Sequence, residues 1–138
     1  MPVEYQIDHD QRLVQAKAYG IVTVQDFIAY QREVWSRKDV VDYDELIDTS
    51  QAKAALDFTG AHLQDIATLA SSMELEKRIT KLAIVVSNDF YYGLGRMYES
   101  YRSLQEGNVK QVAVFRSVKD ALEWIHEIQL KDGKQRNA

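Results

Sequence analysis

The chain of 138 residues has no cysteine. That absence excludes disulfides, thiolate nucleophiles and cysteine-ligated metals, and it fits a reducing compartment. No apolar run approaches the roughly 20 residues that span a bilayer. Met1-Pro2-Val3-Glu4-Tyr5 lacks both the basic start and the apolar core of a secretory signal. A cytoplasmic protein without an integral membrane segment is therefore expected. Positive charge is also in short supply, with 17 Lys and Arg against 21 Asp and Glu and a net charge of -4, so the basic footprint of a nucleic-acid binder is missing.

What is present suffices for one core. At 46% hydrophobic and 28% charged residues, a chain of this length builds one domain and is too short for two. Residues 1–130 are read as that domain and 131–138 as a polar tail. The most informative stretch is Leu82-Ala83-Ile84-Val85-Val86 followed by Ser87-Asn88-Asp89: an uninterrupted apolar run bounded by turn formers suits a strand covered on both faces, at the centre of an α/β sheet. Ligands of open α/β sheets usually sit beyond the carboxyl ends of such strands.

Upstream, Val3, Tyr5 and Ile7 alternate with polar residues, as do Val14, Ala16 and Ala18, with a turn at Asp8-His9-Asp10-Gln11, which predicts an antiparallel hairpin. Thr23 and Asp26 form a capping pattern for a first helix over about 24–37, with Val22 and Phe27 as its hydrophobic staple. A short strand at 43–48 leads through a polar, alanine-rich connection at 49–58 to a second helix beginning at Thr59-Gly60. Past the organising strand, Asn88 or Asp89 caps a third helix with the stripe Leu94, Met97, Tyr98, Tyr101 and Leu104. A last strand at 109–115 is followed by a helix opened by Ser117, with Val118, Ala121, Leu122, Ile125 and Ile128 on one face. The order ββαβαβαβα, with four helices, requires one mostly parallel five-stranded sheet whose antiparallel edge is the opening hairpin.

No complete catalytic or metal motif accompanies this fold. His9, His62 and His126 are dispersed, and nothing supplies nucleophile, base and oxyanion donor together, so neither enzyme activity nor a cofactor is expected. Asp42, Asp44 and Glu45 flank a strand start on the face opposite the expected cleft. Gly93-x-Gly95 is half of a dinucleotide fingerprint, with Tyr98 at the third glycine position. The alternative role for these glycines is close helix packing. The binding surface read from the residues comprises Asp48, Thr49, Thr59, Ser87, Tyr91, Tyr92 and Arg96, gathered at one end of the sheet.

The element order, with Asp48-Thr49-Ser50 at a strand end and Leu56-Asp57-Phe58-Thr59-Gly60-Ala61-His62-Leu63 at a helix start, resembles the STAS domain of the SpoIIAA-like superfamily. The segments Tyr92-Gly93-Leu94-Gly95-Arg96-Met97-Tyr98-Glu99 and Val114-Phe115-Arg116-Ser117-Val118-Lys119-Asp120-Ala121-Leu122-Glu123-Trp124 are similar to small bacterial SpoIIAA-like proteins of undescribed function. The resemblance implies a SpoIIAA-like fold and a non-catalytic regulatory module of the anti-sigma factor antagonist kind, switched by a kinase or regulator. Thr59 matches the phosphoacceptor serine, although Phe58 replaces the serine before it; without phosphorylation Thr59 is an N-cap. Because the superfamily shares its fold with CRAL-TRIO lipid-binding domains, the resemblance also implies an alternative: a carrier of a small molecule or lipid, with an apolar pocket behind the aromatic residues of the third helix. A homodimer seeded by exposed Trp35, Tyr91 or Tyr92 is a further expectation.

Overall fold

Alternating apolar residues build the first strand, β1 (Val3–Asp8), which pairs antiparallel with β2 (Leu13–Val22), setting Val3 opposite Ala18, Tyr5 opposite Ala16 and Ile7 opposite Val14. Directly opposed residues share a face, so the hairpin presents one apolar surface. The computed structural model describes residues 2–55, 59–73, 79–105 and 108–127. The expected Ile128 and the tail at 131–138 lie outside them.

Helix α1 (Val24–Trp35) packs against the hairpin. It starts with a complete capping box: Thr23 Oγ1 accepts from the Asp26 N–H at 3.2 Å, and Asp26 Oδ2 accepts from the Thr23 N–H at 2.8 Å. It ends before the expected residue 37, and a short 3-10 turn follows at Lys38–Val40. Then come β3 (Asp44–Ala54), α2 (Gly60–Met73), β4 (Thr80–Val85), α3 (Asp89–Ser103), β5 (Lys110–Phe115) and α4 (Val118–Ile125). Asn88 and Ser117 cap α3 and α4 by accepting from the N–H groups of Tyr91 and Asp120.

The sheet order is β1-β2-β3-β4-β5, with every pairing after the hairpin parallel. The apolar run of β4 is interior, bonded to β3 and β5, with Leu82, Ala83 and Val85 no more than 2% exposed. The middle strand is nevertheless β3. A continuous apolar run signals cover on both faces, which any interior strand has, and does not rank the strands between the edges.

β3 also extends past the expected end at residue 48. Its polar and alanine-rich continuation stays paired to β2, from Tyr19 with Gln51 to Val22 with Ala54, after a register shift between Lys17 and Tyr19 beside Gly20, whose φ is +64°. Pairing to β4 stops at Asp48 and Val85, so the last part of β3 has one bonded neighbour and needs no apolar side chains to remain a strand.

Helices α1, α2 and α3 cover one face, α2 touching both others, and α4 covers the opposite face at β3, β4 and β5. Val14, Ala16, Ala18 and Val34, at most 2% exposed, lie in the first core; Leu13, Leu46, Ala83 and Val85 meet Ala121 and Ile125 in the second.

The inward stripe of α3 differs from the expected one. Met97 and Leu104 are exposed, at 39% and 79%, whereas Gly95 and Arg102 are buried and share their side of the helix with Tyr91, Leu94 and Tyr98. The reason is a close approach to β5: a Cβ on Gly95 would lie 3.0 Å from both γ-carbons of Val114. Gly93 has nothing within 4 Å of that position. Gly93→Ala is therefore expected to stabilise the protein by about 1 kcal/mol through helix propensity. Gly95→Leu should destabilise it by about 2 kcal/mol through overpacking. Urea unfolding of the two variants checks this pair of opposite signs.

Candidate functional site

Side chains alternate across a strand, so Glu45, Ile47 and Thr49 of β3 point to the three-helix face while Leu46 and Asp48 point away. Leu82 and Ile84 of β4 share the three-helix side with Val86 just beyond it. Above them α1 contributes Phe27, Tyr30 and Gln31, α2 contributes Leu63 and Ile66, and α3 contributes Tyr91, Leu94, Gly95 and Tyr98. Ala52, Ala54 and Gly95 carry too little side chain to fill the space under three helices. A cavity of about 140 Å³ results, close to the ~150 Å³ apolar cavity that admits benzene in another protein.

The cavity is apolar over most of its wall and polar at Glu45. That carboxylate, 4% exposed, accepts the Tyr30 O–H at 2.6 Å and the Trp35 Nε1–H at 3.1 Å, both on the same oxygen. The Lys110 ammonium lies 4.8 Å from the Trp35 ring centroid and donates to the Tyr43 carbonyl at 3.4 Å. Buried Arg102 donates to the Tyr98 hydroxyl at 3.1 Å. Among the described residues no group of three or more His, Cys, Asp or Glu side chains is placed to hold a metal.

Burial, and secondarily the Glu45 charge, pushes the Tyr30 hydroxyl well above the ordinary tyrosine range. Below the ordinary unfolded value of about 10, Tyr30 stays protonated in both states and its contribution to stability is complete. Above it the unfolded chain ionises first, so stability falls as pH climbs toward the higher folded-state value. Unfolding free energies from pH 9 upward should show this decline, and Tyr30→Phe should make it shallower, at the expense of about 1–3 kcal/mol at neutral pH for the lost bond to Glu45.

The residues expected to share one surface are divided. Thr49 and Tyr91 line the cavity: Thr49 Oγ1 donates to the Val85 carbonyl at 2.7 Å, and the Tyr91 hydroxyl accepts from the Ala54 N–H at 3.1 Å, linking α3 to the end of β3. Asp48 is on the opposite side of the sheet, accepting from the Ser50 N–H at 2.9 Å. Ser87 is exposed between β4 and α3. Tyr92 lies under the Arg116 guanidinium, 4.5 Å from its ring centroid, and Arg116 also pairs with Asp89 at 2.8 Å. Arg96 is exposed and paired with Glu99 at 3.1 Å. Thr59 is exposed at the start of α2, its Oγ1 2.9 Å from His62 Nδ1 and 3.4 Å from the His62 N–H. The next residue, Gly60, abuts Met97 and Tyr101 of α3. Trp35, expected as an exposed dimer seed, is buried at 6% and bonded to Glu45.

Glu45 itself faces the cavity, not away from it as expected. The sequence reading missed Gln31, Tyr30, Glu45 and Arg102. A signal existed for two of them: Tyr30 and Gln31 stand three and four residues after Phe27, on the inward side of α1.

No protein-family model and no curated protein matches the chain. A solved structure does: an uncharacterised protein of the DUF3478 family with a SpoIIAA-like fold, from Shewanella loihica PV-4, at 15% identity, with 89% of this chain and 93% of that chain covered and a TM-score of 0.59. The likeness establishes a SpoIIAA-like fold. No helix among the described residues is long and apolar enough to cross a membrane.

Proposed function

We propose that the protein is a non-catalytic binding module that takes up a small, mainly apolar molecule between its sheet and the helices α1, α2 and α3. The observation supporting this reading is the cavity of about 140 Å³ lined by Ile47, Leu82, Ile84, Leu63, Ile66 and Leu94. Well-packed interiors have few voids larger than a water molecule, and a concave apolar site with a few convergent polar groups is the usual form of a ligand site. Methyl NMR during titration with benzene tests it. Saturable shifts of the Ile47, Ile84 and Leu63 methyls support the reading; unchanged methyls at benzene saturation would remove it.

A second reading, a phosphorylation-switched module that meets a kinase or regulator, draws support from Thr59. Its hydroxyl is exposed at a helix start, where N–H groups and the helix dipole favour added negative charge, and the His62 ring is within reach of that charge. Peptide mapping of protein isolated from its native cells should find phosphate at Thr59. An unmodified Thr59 in every growth condition would exclude this reading.

A further inference from the structure

Gln31 is 93% buried, being 7% exposed, and lines the cavity. Its carboxamide makes no hydrogen bond to any described residue, while its neighbour Tyr30 is bonded to Glu45 at 2.6 Å. Its nitrogen and oxygen keep some contact with solvent, which satisfies them; cut off from water without a partner, a carboxamide is unfavourable. A ligand seated in the cavity would seal this amide from solvent, so it must either bond to it or leave a donor and an acceptor stranded. We infer that the ligand is a neutral compound with an apolar body of about one six-membered ring and a single hydroxyl, held by Gln31. This rests on the reading that the cavity takes up a small molecule.

The charge of the ligand follows from the same wall. Glu45 faces the cavity, and the lysine on the lining, Lys53, is exposed. A carboxylate entering would lose its hydration and meet Glu45, whereas a neutral hydroxyl both donates to and accepts from a carboxamide. The role of Gln31 is thus specificity between compounds of nearly equal size: the hydroxyl is favoured over the analogue lacking it by the net worth of one hydrogen bond, and the analogue still binds.

The test compares phenol, benzene and benzoate by calorimetric titration of the wild-type protein and of Gln31→Met, a near-isosteric change. Wild type should bind phenol about tenfold more tightly than benzene, as expected for a net hydrogen bond, and should not be saturated by benzoate. In Gln31→Met the order should reverse, with phenol at least tenfold weaker than benzene, because the hydroxyl would then be buried unpaired. The melting temperature of the ligand-free variant should equal or exceed that of wild type; a structural glutamine would show a loss instead. Benzene bound as tightly as phenol by wild type, benzoate bound as tightly as phenol, or a phenol preference unchanged in Gln31→Met would each overturn the inference while leaving the cavity a binding site. Saturation by none of the three would remove both.

Discussion

Glu45→Ala is expected to lower the unfolding free energy by about 3–5 kcal/mol, as two buried donors lose a charged acceptor at once. The Tyr30 hydroxyl and the Trp35 indole N–H both end on one Glu45 oxygen, and both side chains are at most 6% exposed, so neither can turn to solvent without unpacking α1. A loss of this size is a large fraction of the ~5–15 kcal/mol that stabilises an ordinary domain. Urea unfolding followed by tryptophan fluorescence measures it directly, since Trp35 reports on the same contact. A loss under 1 kcal/mol would mean that Tyr30 and Trp35 find other acceptors and that Glu45 does not organise this wall of the cavity.

The second large effect is on binding. Ala52→Phe places a phenyl group in the space that a ring-sized ligand would occupy, and benzene affinity should fall at least a hundredfold. Stability should hold or rise by up to about 2 kcal/mol, as cavity-filling substitutions commonly do. Ala52 is on the part of β3 bonded to β2 alone, where the backbone has room to adjust. Should the ring overpack the site, Ala52→Leu fills less and should still weaken benzene binding about tenfold. Undiminished binding by a folded Ala52→Phe protein would place the ligand elsewhere.

These two residues also show what was legible in the sequence and what was not. The hairpin, the Thr23 capping box, the Ser117 cap and the order of strands and helices depend on local periodicity and on side chains three residues apart, and all are found in the structure. With crossover rules, that local information was enough to give the sheet its parallel and antiparallel parts. The inward role of Glu45 is not local. Its bonding partners are 15 and 10 residues away in the chain, and a lone acidic residue beside Asp44 reads as the wet end of a strand. The phase of α3 is not legible in its apolar residues because Gly95 carries no hydrophobicity to count, yet its close approach to Val114 decides which side of the helix turns inward.

The site was legible only in part for a related reason. Thr49 and Tyr91 read as polar or aromatic residues near strand ends, and both line the cavity. Asp48, adjacent to Thr49, satisfies the same rule yet lies on the other side of the sheet, because strand neighbours alternate. A cavity is an absence of volume, produced by Ala52, Ala54 and Gly95 meeting from β3 and α3, and no spacing rule registers three small residues whose common neighbour is empty space. Gln31 reads as an ordinary polar helix residue until the helix is placed against the sheet.

The most direct measurement is a crystal structure determined under xenon pressure, because xenon enters dry apolar cavities without needing a hydrogen bond. A xenon site bounded by Ile47, Ile84, Leu63 and Leu94, with the surrounding side chains unmoved, is the result this account predicts. Those side chains closed upon one another, with no xenon between the sheet and α1, α2 and α3, would contradict it.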